Sequence, residues 1–324
     1  MPGDLSTNYS LFDEPSSFDR KGLAARLRDL AGRNIFIGGS SWKYEGWLGQ
    51  IYTQSRYSPR GRFSKRLFEE TCIGEYAETF PTVCGDFAFY QFPSEEFWRR
   101  LFSRVPEGFR FGFKVPEQIT CRVFPKHARY GATAGRENPA FLDAGLLMDA
   151  FLRPLEAHGA KTAVLIFEFG AFSAHAMSGV DEFAERLGAF LEVLPRGFRY
   201  AVEIRNPEFL TPGYFDCLRQ FNVAHVYNAW TRMPDLPVHI AVPGSRTADF
   251  MVCRALLKRG RPYEEAVKKF APYASVQEVC EPARKGLREL IHLAEDEHRI
   301  TFIFVNNRLE GNSPGTIVSI TDEA

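Results

Sequence analysis

Two glutamates, Glu168 and Glu203, each close a short apolar run, Leu165-Ile166-Phe167-Glu168 and Tyr200-Ala201-Val202-Glu203. Two carboxylates brought side by side suit general acid/base work when their surroundings push their pKa values apart. Lys114 closes a third run, Phe109-Arg110-Phe111-Gly112-Phe113-Lys114, and Arg205 follows Glu203 by two positions. These cations suit an anionic group or a developing oxyanion, and a desolvated Lys114 would also serve as a base. Glu203, Glu168 and Lys114 are therefore the candidate catalytic residues. Asp86, Tyr90, Arg254, Asn306 and Asn307 stand at the ends of further apolar runs. Amide side chains there would orient a hydroxyl or a carbonyl. With Arg205 and the stacking pair Trp42 and Tyr44 they form the candidate substrate-binding set. Glycoside hydrolysis fits two carboxylates beside a stacking ring. Proton-transfer isomerisation of a small polyhydroxylated or phosphorylated substrate fits them equally.

The aromatic pair belongs to Gly38-Gly39-Ser40-Ser41-Trp42-Lys43-Tyr44-Glu45-Gly46-Trp47-Leu48-Gly49-Gln50-Ile51-Tyr52, which follows Ile35-Phe36-Ile37. Loops are normally polar because their backbone must reach water. Four large rings in one loop read as a pocket wall or lid. The alternative is that they only cover the mouth of a barrel.

Placing these side chains together requires strands with a common direction. Apolar runs predict strands at Ile35–Gly38, Thr82–Phe89, Phe109–Lys114, Thr162–Glu168, Phe198–Ile204, Val223–Asn228, Phe250–Arg254 and Ile300–Asn306. Helical stretches are expected at Phe63–Phe80, Ser94–Val105, Pro139–His158, Val180–Leu194 and Thr211–Phe221, with a longer one over Pro262–His298 broken near Pro272 and Pro282. Ser178 with Asp181 resembles a capping box. Eight strand–helix repeats predict a parallel sheet closed into a TIM-type (β/α)8 barrel. An open doubly wound sheet is the alternative, but no G-x-G-x-x-G follows any of these strands.

Barrel active sites sit at the carboxyl-terminal strand ends. Strand alternation puts Ala201, Glu203 and Arg205 on one face. It also sets Lys114 opposite Phe109, Phe111 and Phe113, whose rings would face the helices. Cys84, Asp86, Ala88 and Tyr90 would likewise share a face. Inward charges are costly unless paired. Glu203 with Arg205 or Lys114, and Asp86 with Arg254, are the expected pairs. Satisfied ion pairs that merely plug the mouth are the structural alternative.

A chain of 324 residues that is 45% hydrophobic can bury one large core. Residues 1–18 read as a polar tail and 19–324 as a single barrel domain. Forty basic residues balance forty acidic ones, which argues against a strongly basic nucleic-acid binder. The local stretches Arg56, Arg60, Arg62, Lys65, Arg66 and Arg122, Lys126, Arg129, Arg136 leave nucleic acid a weakly supported partner beside a small-molecule ligand. They read better as solvated faces. No apolar run is long enough to span a membrane, and no leader is apparent, so a cytoplasmic location is expected. The cysteines, Cys84 and Cys121 among them, form no C-x-x-C and no zinc spacing, and neither metal nor cofactor is expected. His225 and His239 read as satisfied core or surface residues. Gly311-Asn312-Ser313-Pro314-Gly315 is either a phosphate-binding loop or an ordinary turn. The sequence leaves the oligomeric state open.

The chain resembles the YecE-like family, the domain-of-unknown-function family seventy-two. The family's opening motif is matched at Gly38, Ser40, Trp42, Tyr44, Trp47, Gly49 and Tyr52, and not at Gly39, Ser41, Lys43, Ile51 and Thr53. Similarity continues through Phe89-Tyr90, Phe109-Arg110-Phe111, Lys114, Glu203-Ile204-Arg205 and Asn306-Asn307, so it covers about residues 34 to 318. The resemblance implies a TIM-type barrel and no established reaction. The family's second-strand glutamate and asparagine fall on Cys84 and Asp86. Its Gln of the fourth strand falls near Glu168, and its His after the third strand on Cys121. The resemblance is thus to a divergent member.

Overall fold

The computed structural model describes residues 18–322. The expected tail therefore lies, save for Phe18, outside the described residues. Eight parallel strands close in sequence order into a barrel. They are β1 Ile35–Gly39, β2 Thr82–Gly85, β3 Arg110–Lys114, β4 Thr162–Glu168, β5 Tyr200–Glu203, β6 Ala224–Ala229, β7 Phe250–Ala255 and β8 Ile300–Val305. β8 pairs with β1 from Ile35↔Thr301 to Gly39↔Val305, which closes the ring. The doubly wound alternative is excluded.

Helices surround the strands, and their ends follow from local chemistry. The helix Arg20–Gly32 starts at Asp19, whose carboxylate accepts from the Gly22 amide. Helix Val180–Glu192 matches the apolar spacing, but Glu182 rather than Asp181 closes its start. Its carboxylate accepts from both the amide and the hydroxyl of Ser178. The stretch expected over Pro139–His158 runs from Ala144–Leu147 through a wider π turn, Met148–Leu152, into Arg153–Leu155. Pro154 has no N–H to give to the carbonyl four residues back, and the turn widens just before it. The long stretch over Pro262–His298 is two helices, Tyr263–Phe270 and Glu281–Asp296. Pro272 lies between them. Pro282 begins the second helix rather than breaking it, since its missing N–H costs nothing in the first turn.

One strand is shorter than its sequence suggested. β2 stops at Gly85, Asp86 adopts helical dihedrals, and Phe87–Phe89 forms a 3-10 turn. The Phe87 ring folds back so closely that a Cβ on Gly85 would lie 2.6 Å from it. Phe87 packs on Trp42, Phe97, Trp98 and Phe113 outside the barrel wall. Period-two alternation therefore ends at Gly85, and Asp86, Ala88 and Tyr90 do not share a face.

Inside the barrel, Phe36, Cys84, Ile166, Ala201, Val226, Val252, Phe302 and Phe304 form an apolar plug. The next inward positions, two residues on, are Lys114, Glu168, Glu203, Asn228, Arg254 and Asn306. Their charges thus form the layer directly above that plug. Gly112 leaves room for the Phe304 ring, whose Cζ would lie 2.7 Å from an added Cβ. Gly112→Ala is expected to lower stability by about 1–3 kcal/mol through overpacking, read in a urea melt. Adding Phe304→Leu should recover part of that loss. An unchanged midpoint in Gly112→Ala would show that the ring has room to move.

Candidate functional site

β4 and β5 pair in register at Glu168↔Glu203, so the two carboxylates enter the barrel side by side. Arg254 of β7 reaches across and donates from one Nη1 to both, at 2.5 Å to Glu168 Oε2 and also to Glu203 Oε2. Arg205 donates from Nη2 to Glu203 Oε1 at 3.1 Å and lies 3.0 Å from Glu168 Oε2. Lys114 Nζ lies 3.1 Å from the same Glu168 oxygen. Asp86 Oδ1 is further off, 3.8 Å from Lys114 and 3.6 Å from Arg254. The expected pairs Glu203–Arg205 and Asp86–Arg254 form. Lys114 pairs with Glu168 and Asp86. Aromatic faces back two of the cations: Lys114 Nζ sits 3.6 Å over the Phe89 ring, and Arg205 lies 3.6 Å over Trp230.

Glu203 is fully buried, Arg254 is 2% exposed and Glu168 is 9% exposed. Burial alone would raise the Glu168 pKa. Arg205, Lys114 and Arg254 outweigh it and hold this carboxyl well below its ordinary value. Glu168 is therefore a carboxylate at neutral pH and no proton donor. Tyr44 stands at the rim. Burial pushes its phenol up to about 12, Asp86 and Tyr273 adding to the rise and Arg308 opposing it, so it remains an O–H donor. Several buried polar atoms at this end make no hydrogen bond among the described residues: Ser40 Oγ, Asp86 Oδ1, Asn228 Oδ1, Arg254 Nε, Asn307 Nδ2 and Arg308 Nε.

The remaining candidates fall outside this cluster or serve its frame. Trp42 is buried on the outer side of the wall against Phe87 and Phe111. Trp47 and Tyr52 stack there on each other and Trp47 on Tyr76. Among these four rings, the electrostatics of the mouth reach Tyr44. Tyr90 is 60% exposed and carries the Arg129 guanidinium over its face. Asn306 and Asn307 are buried and bind backbone: their side-chain oxygens accept from the amides of Arg308 and Ser313. That contact and Asn312 Oδ1, which accepts from the Gly315 amide, use up the amides a phosphate loop would offer. The segment Gly311–Gly315 is a helix cap, not an anion cradle. Arg308 and Trp230 border the site although the sequence reading passed over them. Arg308 lies within two residues of the flagged Asn306 and Asn307, and Trp230 two residues beyond the expected strand end Asn228, which was the available signal.

His225 and His239 are partners of each other, Nε2 to Nε2 at 2.8 Å, and Tyr214 Oη lies 3.1 Å from His225 Nδ1. They lie outside the barrel wall, packed under helices. No group of three or more potential metal ligands occurs among the described residues. Burial pushes the thiols of Cys84 and Cys121 up to about 12 and about 11. In the basic stretches, Arg56, Lys65, Arg66, Arg122 and Arg129 each face a carboxylate. Two of the larger clefts lie elsewhere. One of about 430 Å³ is lined by Trp42, Glu69 and Arg100, and one of about 350 Å³ opens at the amino-terminal end near Arg196 and Asp249. Neither is lined by Glu168 or Glu203.

Comparison with known proteins agrees with this architecture. The family model described as a protein of unknown function, DUF72, matches residues 36–324. The chain belongs to the DUF72 family. A DUF72 family protein of Thermotoga maritima MSB8 superposes with a TM-score of 0.57 at 18% identity, over 90% of this chain and 99% of that one. A DUF72 family protein of Enterococcus faecalis V583 does so with a TM-score of 0.54 at 15% identity, over 89% and 95%. At such identities the likeness concerns the fold. The comparison with curated proteins finds no match. No helix among the described residues of this DUF72 protein is long and apolar enough to cross a membrane.

Two measurements follow from the buried charges. Glu203→Gln leaves Arg205 and Arg254 short of one carboxylate in a fully buried position. It is expected to cost about 3 kcal/mol in a denaturant melt, whereas Tyr90→Ala at the exposed rim should stay within about 0.5 kcal/mol. The histidine pair gives an acid dependence. Burial lowers the His239 pKa to about 4 and that of His225 well below its ordinary value. The unfolded chain thus binds protons that the folded chain refuses below about pH 6.5. Stability should fall as pH drops from there toward 4, by about 3 kcal/mol from His239 and further from His225. The double variant His225→Phe/His239→Leu should flatten that part of the profile, and an unaltered slope would assign the acid loss to other groups.

Proposed function

We propose that the carboxyl-terminal mouth of this DUF72 barrel binds a small polyhydroxylated or phosphorylated molecule and carries out carboxylate-assisted proton transfer on it. The observation that carries this reading is the convergence of Glu168, Glu203, Lys114, Arg205 and Arg254 in one buried layer. Unpartnered buried polar atoms lie around it. A buried polar atom without a partner costs about 1–3 kcal/mol, and a ligand's hydroxyls would relieve that cost.

The charge state of Glu168 favours proton abstraction over hydrolysis by a protonated carboxyl. A carboxylate surrounded by three cations is a weak base. A substrate carbonyl that draws Lys114 or Arg254 toward itself weakens that hold and makes Glu168 more basic. The same cations then stabilise the oxyanion that forms as a neighbouring C–H proton leaves. Glu203 keeps Arg205 and Arg254 in place throughout.

The test uses the whole protein in deuterated water with a panel of small hydroxyaldehydes, hydroxyketones and their phosphate esters. Proton NMR reads exchange of the C–H beside the carbonyl. Exchange is expected with the wild type and should fall about 100-fold or more in Glu168→Gln. Hydrolysis products without exchange would overturn the proton-transfer reading. Saturable binding without turnover would leave a non-catalytic binding protein.

A further inference from the structure

We infer that Asp86 sets the charge of the ligand, so that the mouth selects a neutral, hydroxyl-rich molecule over a phosphorylated one. This inference rests on the mouth being a ligand site. The buried layer proper holds three cations, Lys114, Arg205 and Arg254, against two carboxylates, Glu168 and Glu203. That layer alone has one positive charge in excess and would attract an anion. Asp86 is the third carboxylate facing these cations and cancels the excess among these six groups, with Arg308 set apart over the Tyr263 ring.

Its geometry differs from that of the other two. Glu168 and Glu203 hydrogen-bond directly to Arg254. Asp86 Oδ1 stands 3.6 Å from Arg254 and 3.8 Å from Lys114, close enough for ion pairing but beyond hydrogen-bond reach, and this buried oxygen has no hydrogen-bond partner among the described residues. Its side chain is 35% exposed although Oδ1 is buried, so the residue stands at the edge of the layer with its other atoms toward solvent. A hydroxyl beside the pair, on the exposed side of Asp86, would donate to the carboxylate and accept from a cation. A phosphate oxygen in that place could accept from Lys114 and Arg254. An ester dianion has no proton for Asp86, and any phosphate would add negative charge beside a carboxylate. Local backbone chemistry fixes Asp86 there, because the chain leaves β2 at Gly85 and turns through Phe87–Phe89. The residue cannot swing out with a strand.

The experiment is calorimetric titration with unphosphorylated pentoses and hexoses, their matched phosphate esters and inorganic phosphate. The wild type should bind at least one free sugar about tenfold or more tightly than its ester. Asp86→Asn keeps the size, removes the charge and should gain about tenfold or more for the ester and for inorganic phosphate. Lys114→Met should lose both kinds of ligand, with a thermal melt to confirm folding. Wild-type protein that binds ester and sugar alike would overturn the inference, as would an unchanged ratio in Asp86→Asn. Either result leaves the ligand site itself standing. Phosphate binding that survives in Lys114→Met would place the anion elsewhere and overturn it as well. No binding of any probe to any of the proteins would overturn both the inference and the reading of the mouth.

Discussion

One guanidinium, that of Arg254, holds two carboxylates from adjacent strands in a volume closed to water. Removing an ion from water costs several kcal/mol even after relaxation, and only well-placed partners offset it. The barrel is the device that places them. The β4–β5 register sets Glu168 beside Glu203, and closure of the ring brings β7 across to meet them. A slip of one residue in either strand would turn a carboxylate toward the helices and leave Arg254 buried with half its charge uncompensated. Register, closure and charge layer therefore stand or fall together.

The protein buries other carboxylates, and they do a different job. Glu75 accepts from the amide and hydroxyl of Thr53, from Tyr57 and from Arg20. Glu310 accepts from the Cys280 amide, Arg284 and Thr316. Each is surrounded by donors from segments that need fastening, and each pins loop to helix. The mouth cluster is unlike them. Its carboxylates face shared cations, and nearby acceptors such as Asp86 Oδ1 and Asn228 Oδ1 make no hydrogen bond among the described residues. Both kinds of group are buried and charged. What separates the two is whether the protein itself uses all of the hydrogen-bonding capacity.

The aromatic content divides in the same way. Most rings of the Trp42–Tyr52 loop pack into the outer core, where they tie the loop to the helix Lys65–Tyr76. Phe89, Trp230 and Tyr44 instead stand around the charged layer. Rings behind Lys114 and Arg205 limit the side-chain freedom of both cations, so the layer is held in place by the protein itself.

The sequence by itself determined the barrel. Apolar runs alternating with amphipathic stretches have few other solutions, and β4 is legible to the residue because both of its ends are marked by polar groups. It also determined that Lys114, Glu168, Glu203 and Arg254 share one end, since period-two alternation and strand ends are local properties. Tertiary structure decided the rest. The end of β2 depends on Phe87 finding its place among Trp42, Trp98 and Phe113, contacts invisible in a run that still reads as apolar. The roles of Trp42 and Tyr44 depend on which side of the wall the loop folds to. The pairing of His225 with His239 depends on a helix packed against a strand. Arg254 meeting both glutamates depends on ring closure, which no window of sequence contains. Local pattern fixes which way a side chain faces along its own strand. Only the assembled barrel fixes what it faces.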